Sequence, residues 1–317
     1  MADRSCMNVN VLVETEGLSH EEWLHWRRKG IGGSDVSAIL GISKWMSPVG
    51  LWLDKTGQSN EPEEVNEAMR WGQILEPVIR EQFHQITGKP VTEIKAILQH
   101  PDYPYLLADI DGLTVDDNGD PAILEIKNIS EYKRGEWSQG VPAYYETQVQ
   151  HYLMVTGLKT AYVVVLFGGN STGVFAVEAD YEIQEMLLKV ETDFWRKVQN
   201  KIRPDIDGSD ASTALLNTLY HGGIREEIIL PSKAVEYIDA YIAASADEDS
   251  AKARKADAGN HLKELMENYD KATCAGHTIS WKPVTSERLD SKALKEAEPD
   301  IFKKYTKTST SRRFTVS

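Results

Sequence analysis

Ala108-Asp-Ile-Asp-Gly112, followed by Glu125-Ile-Lys127, decides how this chain reads. Leu106 to Val115 and Ala122 to Lys127 are rich in strand-forming residues. Between them lies Asp116-Asp-Asn-Gly-Asp120, whose Asn-Gly pair between two such runs is a strong hairpin signal. Side chains on a strand alternate faces, so Glu125 and Lys127 project from one side and Ile126 from the other. A tight connection brings Asp111 beside Glu125. Two carboxylates and an ammonium are thus expected to converge on one small area.

As an isolated pair, Glu-x-Lys on a strand usually means a solvated face. Here Leu106 to Ala108 and Ala122 to Leu124 are apolar, so the charges continue from buried strands. Glu76, on a predicted helix, offers a third carboxylate. Carboxylate oxygens suit a hard divalent ion such as Mg²⁺ or Mn²⁺, and the Ile126 carbonyl lies between the two side chains as a further donor. Lys127 can orient an attacking water, deprotonate it from the neutral amine form, or as the ammonium stabilise charge on a phosphate. Phosphodiester hydrolysis needs these parts.

Around this centre, helices and strands alternate over the first two hundred residues. Glu21 to Lys29 reads as a short helix ended at Gly30-Ile-Gly-Gly, with Ser34-Asp35 as N-cap before Val36 to Leu40. Further helices are expected at Pro48–Lys55, Glu64–Thr87, Tyr144–Thr156 and Tyr181–Lys201. A second strand pair, Thr160–Phe167 and Gly173–Val177, flanks Gly168-Gly-Asn170. The fold class expected is α/β, a mixed sheet flanked by helices. Composition changes near Pro204, which places one domain at residues 1–204. Residues 205–317 read as a linker, a helical hairpin or coiled coil over 232–269, and a small β module with strands at His277–Pro283 and Arg313–Val316.

The 317 residues carry 35 basic against 49 acidic side chains, a formal charge of −14. That argues against a protein that coats nucleic acid nonspecifically, while leaving room for a local basic groove. Two cysteines, Cys6 and Cys274, make neither a disulfide framework nor a zinc site, and the longest apolar run, Ala161–Phe167, is strand-sized. No secretion signal is evident, so a cytoplasmic setting without membrane attachment is expected. Of the eight tryptophans most sit at helical spacing and are expected in the core. Trp137, in the polar stretch Glu131–Gly140, reads either as a base-stacking wedge or as a loop anchor. His84, His100 and His151 lack metal-ligand spacing, and His151 reads as helix packing. Gly168-Gly169 lacks the residues of a P-loop.

Asp111-Gly112 with Glu125-Ile-Lys127 resembles the signature of the PD-(D/E)xK nucleases. Three further stretches narrow the likeness: Trp23-Leu-His-Trp-Arg27 with Gly30-Ile-Gly-Gly-Ser34-Asp35, then Trp71-Gly-Gln-Ile-Leu-Glu76-Pro77, then Gln148-Val-Gln-His-Tyr152. Together they resemble the YqaJ-type viral recombinases, relatives of phage lambda exonuclease and of the RecB nuclease domain. The resemblance covers roughly residues 20 to 170.

It implies a restriction-endonuclease-like core and a metal-dependent deoxyribonuclease that digests one strand of duplex DNA 5′→3′, leaving a 3′ single strand. Asp111, Glu125 and the Ile126 carbonyl are expected to hold Mg²⁺ (or Mn²⁺), with Glu76 beside them. Lys127 is the expected catalytic lysine; Gln148 is expected to orient the lysine or the attacking water, with Tyr152 packed behind it. Arg27 and Ser34 are expected to hold the 5′-phosphate of the processed strand. Double-stranded DNA ends, a ring of identical subunits and a single-strand annealing protein are the expected partners, in a phage or prophage setting in a bacterial host. An endonuclease or single-strand-preferring nuclease is the rival within the same chemistry, and a non-catalytic DNA-binding scaffold the rival outside it. The long acidic turn between Asp111 and Glu125 and the large tail after residue 205 depart from the minimal pattern. In the tail, Lys303, Lys304, Lys307, Arg312 and Arg313 form a basic end.

Overall fold

The computed structural model describes residues 4–59, 67–220, 222, 226–308 and 312–316. They divide into two compact units, Met1–Tyr220 and His221–Ser317. The first unit contains, in order, β1 (Asn10–Glu14), α1 (His20–Arg27), β2 (Ile31–Gly32), α2 (Gly33–Ile39), α3 (Pro48–Lys55), α4 (Glu67–Thr87), β3 (Ala96–Gln99) and β4 (Leu106–Ala108). It continues through β5 (Gly112–Val115), β6 (Pro121–Ile129), α5 (Ala143–Thr156), β7 (Thr160–Phe167), β8 (Ser171–Glu178), α6 (Tyr181–Gln199) and α7 (Asp210–Leu219). Of the helix expected from Glu64, residues 64–66 lie outside the described chain.

The sheet that carries the decisive stretch runs β5-β6-β7-β8, with β6 and β7 parallel and both outer pairs antiparallel. A parallel pair is covered on both faces, which is why Ile123, Leu124, Val163 and Val164 are all fully buried. One face packs against α5, with Val149, Leu153 and Val155 in the same apolar cluster as Ile123, Val163 and Val165. The other meets α4 through Ile79 and Phe83. This is the expected mixed sheet between helices.

A second sheet, β1-β3-β4-β2, stands beside it, and here the structure departs from the sequence reading. Leu106–Val115 is not one strand. It breaks at Asp109-Ile-Asp111, and β4 belongs to one sheet while β5 belongs to the other. Apolar residues on both sides of the break hid it. Two acidic side chains therefore sit where the chain passes between sheets.

The hairpin turn forms as expected: Asp116 accepts from the Asn118 and Asp120 amides at 2.8 Å, and Gly119 supplies φ 88°. It closes the far end of the β5-β6 ladder from Asp111, since Val115 pairs with Pro121 and Gly112 with Leu124. Asp116, Asp117 and Asp120 thus lie away from the carboxylate centre.

Three other expectations need correction. Ser34 is not the N-cap of α2: Gly32 occupies that position, and Asp35 accepts its amide at 2.9 Å. Trp137 is buried among Tyr145, Phe167 and Phe175, so it anchors its loop and does not stack on bases. The tryptophans are not mostly core: only Trp52 and Trp137 are buried, whereas Trp45, Trp71 and Trp281 are exposed.

The second unit holds α8 (Ala234–Met266), β9 (Lys271–Cys274), β10 (His277–Ser280), α9 (Ser291–Ala297) and α10 (Pro299–Tyr305). Its long segment is one 33-residue helix, not a helical hairpin, because Ala-, Lys- and Glu-rich sequence between the two apolar clusters offers no turn. β10 pairs with β9 across Ala275-Gly276, both at positive φ. Residues 313–316 form no strand. Among the described residues no helix is long and apolar enough to cross a membrane.

Candidate active site

β6 aims Glu125 and Lys127 to one side, as a strand must, and the two meet at 2.5 Å. Asp111 arrives from the break between the sheets, and its Oδ2 accepts the Ile126 amide at 2.7 Å. A strand residue's N–H and C=O point to the same edge, so the Ile126 carbonyl faces the Asp111 side. From α5, Gln148 bridges the pair: its amide nitrogen donates to Glu125 at 2.8 Å and its oxygen accepts from Lys127 at 3.2 Å. An ammonium only donates and a carboxylate only accepts, which fixes the amide's orientation. Tyr152, one turn further along α5, accepts from the Gln148 amide at 3.2 Å.

These groups line a cleft of about 510 Å³ that also takes in Glu76, Arg27 and Ser34. Glu76 comes from α4, where Pro77 removes the amide that would bond the Gln73 carbonyl. Its carboxylate is held by Arg80 at 2.5 Å, and Arg80 also donates to the Asp111 backbone carbonyl at 3.1 Å. Sequence reasoning passed over Arg80, although a Glu-Arg pair four apart on a helix was there to read. Gly72 leaves the cleft wall on α4 bare: nothing lies within 4 Å of where its Cβ would stand. Glycine inside a helix costs about 1 kcal/mol relative to alanine.

Electrostatics sharpen the picture. Burial raises the Asp111 carboxyl well above its ordinary range, and the neighbouring Glu125 and Glu76 charges add to that, against Lys127 and the Ile126 amide. Glu125 is also raised, by burial working against Lys127. Burial opposes the Lys127 charge, but Glu125 and Asp111 overcome it and hold the ammonium protonated. The second Glu125 oxygen, Oε2, is buried without a hydrogen-bond partner. Carboxylates this crowded, with one orphaned oxygen, suit a small divalent cation. Among the described residues no three His, Cys, Asp or Glu side chains close on one point as a cage. Mg²⁺ in particular is commonly held by one or two carboxylates and keeps several waters.

In the same cleft, Arg27 donates to Ser34 Oγ at 2.6 Å, and its guanidinium lies 4.7 Å from the Trp23 ring centre. The Trp23 indole in turn donates to Asp109 at 2.7 Å. Behind Ser34, Asp35 is buried, and Lys55 reaches it from α3 at 2.7 Å, with Arg27 at 3.5 Å. Burial would raise the Asp35 carboxyl, but Lys55 first and Arg27 second bring it below its ordinary value. Lys55 escaped the sequence reading because no local pattern marks it; tertiary packing alone brings it here.

His151, predicted as packing, is fully buried on α5. Its Nδ1 meets Glu191 of α6 at 2.9 Å and its Nε2 the Leu107 carbonyl of β4 at 2.8 Å.

A family model described as the YqaJ-like viral recombinase domain matches residues 22–159. The protein YqaJ of Bacillus subtilis (strain 168) is 39% identical over 311 residues, covering 96% of this chain and 97% of that one. Among solved structures, the alkaline exonuclease LHK-Exo from Laribacter hongkongensis is 21% identical, with a TM-score of 0.48, over 63% of this chain and 97% of its own. A phage related exonuclease from Haemophilus somnus 129PT is 10% identical, with a TM-score of 0.40, over 55% and 95% respectively.

Proposed function

The chain belongs to the YqaJ-like viral recombinase family, and on that premise we propose that it is a metal-dependent deoxyribonuclease acting on duplex DNA ends. One strand is digested 5′→3′, leaving a 3′ single strand. The observation that carries this reading is the convergence of Asp111, Glu125, Lys127 and Gln148 in the same cleft as Arg27 and Ser34. A carboxylate-lysine centre serves hydrolysis, and an arginine-serine pair serves an anion.

Asp111, Glu125 and the Ile126 carbonyl would hold Mg²⁺ or Mn²⁺, with Glu76 as a further donor on release from Arg80. When bound, the ion supplies charge stabilisation at the phosphate and an acidified water. Lys127 acts from its charged form, offsetting negative charge that develops on the phosphate, while Gln148 fixes its position. Tyr152 buttresses Gln148. Arg27 and Ser34 hold the terminal 5′-phosphate, which sets which bond meets Lys127; water adds to the phosphorus of that bond and the 3′-oxygen leaves as a hydroxyl, so the products end in 5′-phosphate. A ring of copies and an annealing partner for the 3′ strand extend this reading, and mass in solution tests the first.

The deciding assay follows end-labelled linear duplexes carrying either a 5′-phosphate or a 5′-hydroxyl, with Mg²⁺ and with EDTA. Degradation only with the metal, faster from the 5′-phosphate, is expected. Equal rates from both ends would remove Arg27 and Ser34 from their role, and cutting of closed circular duplex would favour the endonuclease rival.

A further inference from the structure

With Trp137 buried, another aromatic stands in the open beside the cleft. Trp45 is 58% exposed, although its backbone is held firmly: Ser43 Oγ accepts from the Trp45 and Met46 amides, both at 3.2 Å. The Trp45 ring meets Tyr144 edge-on with centroids 5.6 Å apart, and leans on Tyr145 at 6.1 Å. The two tyrosines lie 4.5 Å apart. Tyr145 then reaches the reaction centre, with Lys127 Nζ 4.9 Å from its ring centre. These three rings make a continuous ledge from Lys127 out to solvent.

Positive charge follows the ledge. Lys133 Nζ lies 5.5 Å from the Trp45 ring centre and Lys44 Nζ 4.9 Å from that of Tyr144. Glu136 pins the assembly, accepting from Lys44 at 2.8 Å and from Tyr144 at 2.5 Å. Burial and this bond push the Tyr144 hydroxyl far above its ordinary range, so it stays a neutral donor. A tryptophan recruited for packing would be covered. Here Ser43 fixes the loop and more than half of the Trp45 surface is left to solvent.

We propose that Trp45, Tyr144 and Tyr145 form a stacking ledge for unpaired bases of a DNA strand at the mouth of the Lys127 site, with Lys44 and Lys133 supplying charge to its phosphates. Every base has a π face, so such a ledge takes single strands without regard to sequence. The inference rests on the nuclease reading but is independent of the 5′-phosphate pocket.

The test measures binding of fluorescein-labelled oligothymidylate, and of a blunt duplex of equal length, to the full chain by anisotropy in EDTA and again with Ca²⁺. Trp45→Ala should weaken oligothymidylate binding about tenfold or more while changing duplex binding much less. Trp45→Phe should keep most of the affinity, and Trp281→Ala, another exposed tryptophan, should change neither. An unchanged thermal transition for Trp45→Ala separates lost contact from lost fold. Undiminished oligothymidylate binding by Trp45→Ala overturns the ledge, as does equal loss on both DNAs. If the unaltered chain cleaves DNA under Mg²⁺ yet Trp45→Ala binds normally, the ledge alone falls. If the unaltered chain neither cleaves nor binds, the nuclease reading falls with it.

Discussion

Lys55 illustrates what one buried charge can set. Its side chain is 2% exposed, and besides Asp35 it donates to the Arg27 carbonyl at 3.0 Å. By taking the greater part of the Asp35 charge it leaves Arg27 directed toward Ser34. Lys55→Met should therefore draw Arg27 onto Asp35 and cut the preference for 5′-phosphate over 5′-hydroxyl ends about tenfold, measured as the ratio of kcat/KM values. Adding Asp35→Asn, which keeps an acceptor for the Gly32 amide, should restore most of that ratio; no recovery would refute the charge argument. In the same cleft, Lys127→Ala should lower cleavage by about 10²- to 10⁴-fold with duplex binding largely intact. Undiminished single-turnover rates would remove Lys127 from the chemistry.

At the scale of elements, the cleft depends on how closely α2 and α5 approach. A Cβ on Gly33 would fall 2.5 Å from Cε1 of Tyr152 and 3.0 Å from Cγ of Gln148. Gly33→Ala must push α5 away or turn the buried Tyr152 ring. It should lower stability by about 1–3 kcal/mol in chemical denaturation and slow cleavage as well. The same helix is tied down by His151 and Glu191. Burial alone would lower the His151 pKa, but Glu191 and the Leu107 carbonyl hold it above the ordinary 6.5. A raised histidine pKa means the folded state binds more protons than the unfolded one. The pair's stabilisation is thus complete below pH 6.5 and fades as pH rises through the higher, folded value. Melting temperatures should fall over that window in the unaltered chain and fall less in His151→Gln. That variant should also be less stable than the unaltered chain below pH 6.5, because the buried ion pair with Glu191 is removed.

At the scale of the molecule, the three large apolar clusters among the described residues draw on residues between Met7 and Val198. A chain ended after Tyr220 should therefore unfold in one cooperative thermal transition, and calorimetry showing no transition would refute its independence. Comparing its mass and processivity with those of the full chain assigns residues 221–317 to assembly or to DNA grip. The formal charge of −14 fits a protein that avoids loose contact with DNA. Its cations are placed instead: Arg27 and Lys127 line the cleft, while Lys44 and Lys133 flank the ledge.

What the sequence by itself determined is whatever short-range periodicity encodes. Glu125 and Lys127 had to share a face because strand side chains alternate, and Asn118-Gly119 had to turn the chain because few residues tolerate positive φ. β7 was legible as an apolar run, and α3 and β7 have the bounds their patterns predicted. Tertiary structure alone decided the rest. The break at Asp109-Ile-Asp111 is invisible locally because both flanking segments are buried, in different sheets. The Arg80 bond to the Asp111 carbonyl and the Lys55 pair with Asp35 enter through contacts between elements, as do the burial of Trp137 and the exposure of Trp45. Burial and charge pairing depend on what lies across space from a residue, and periodicity along the chain carries no record of that.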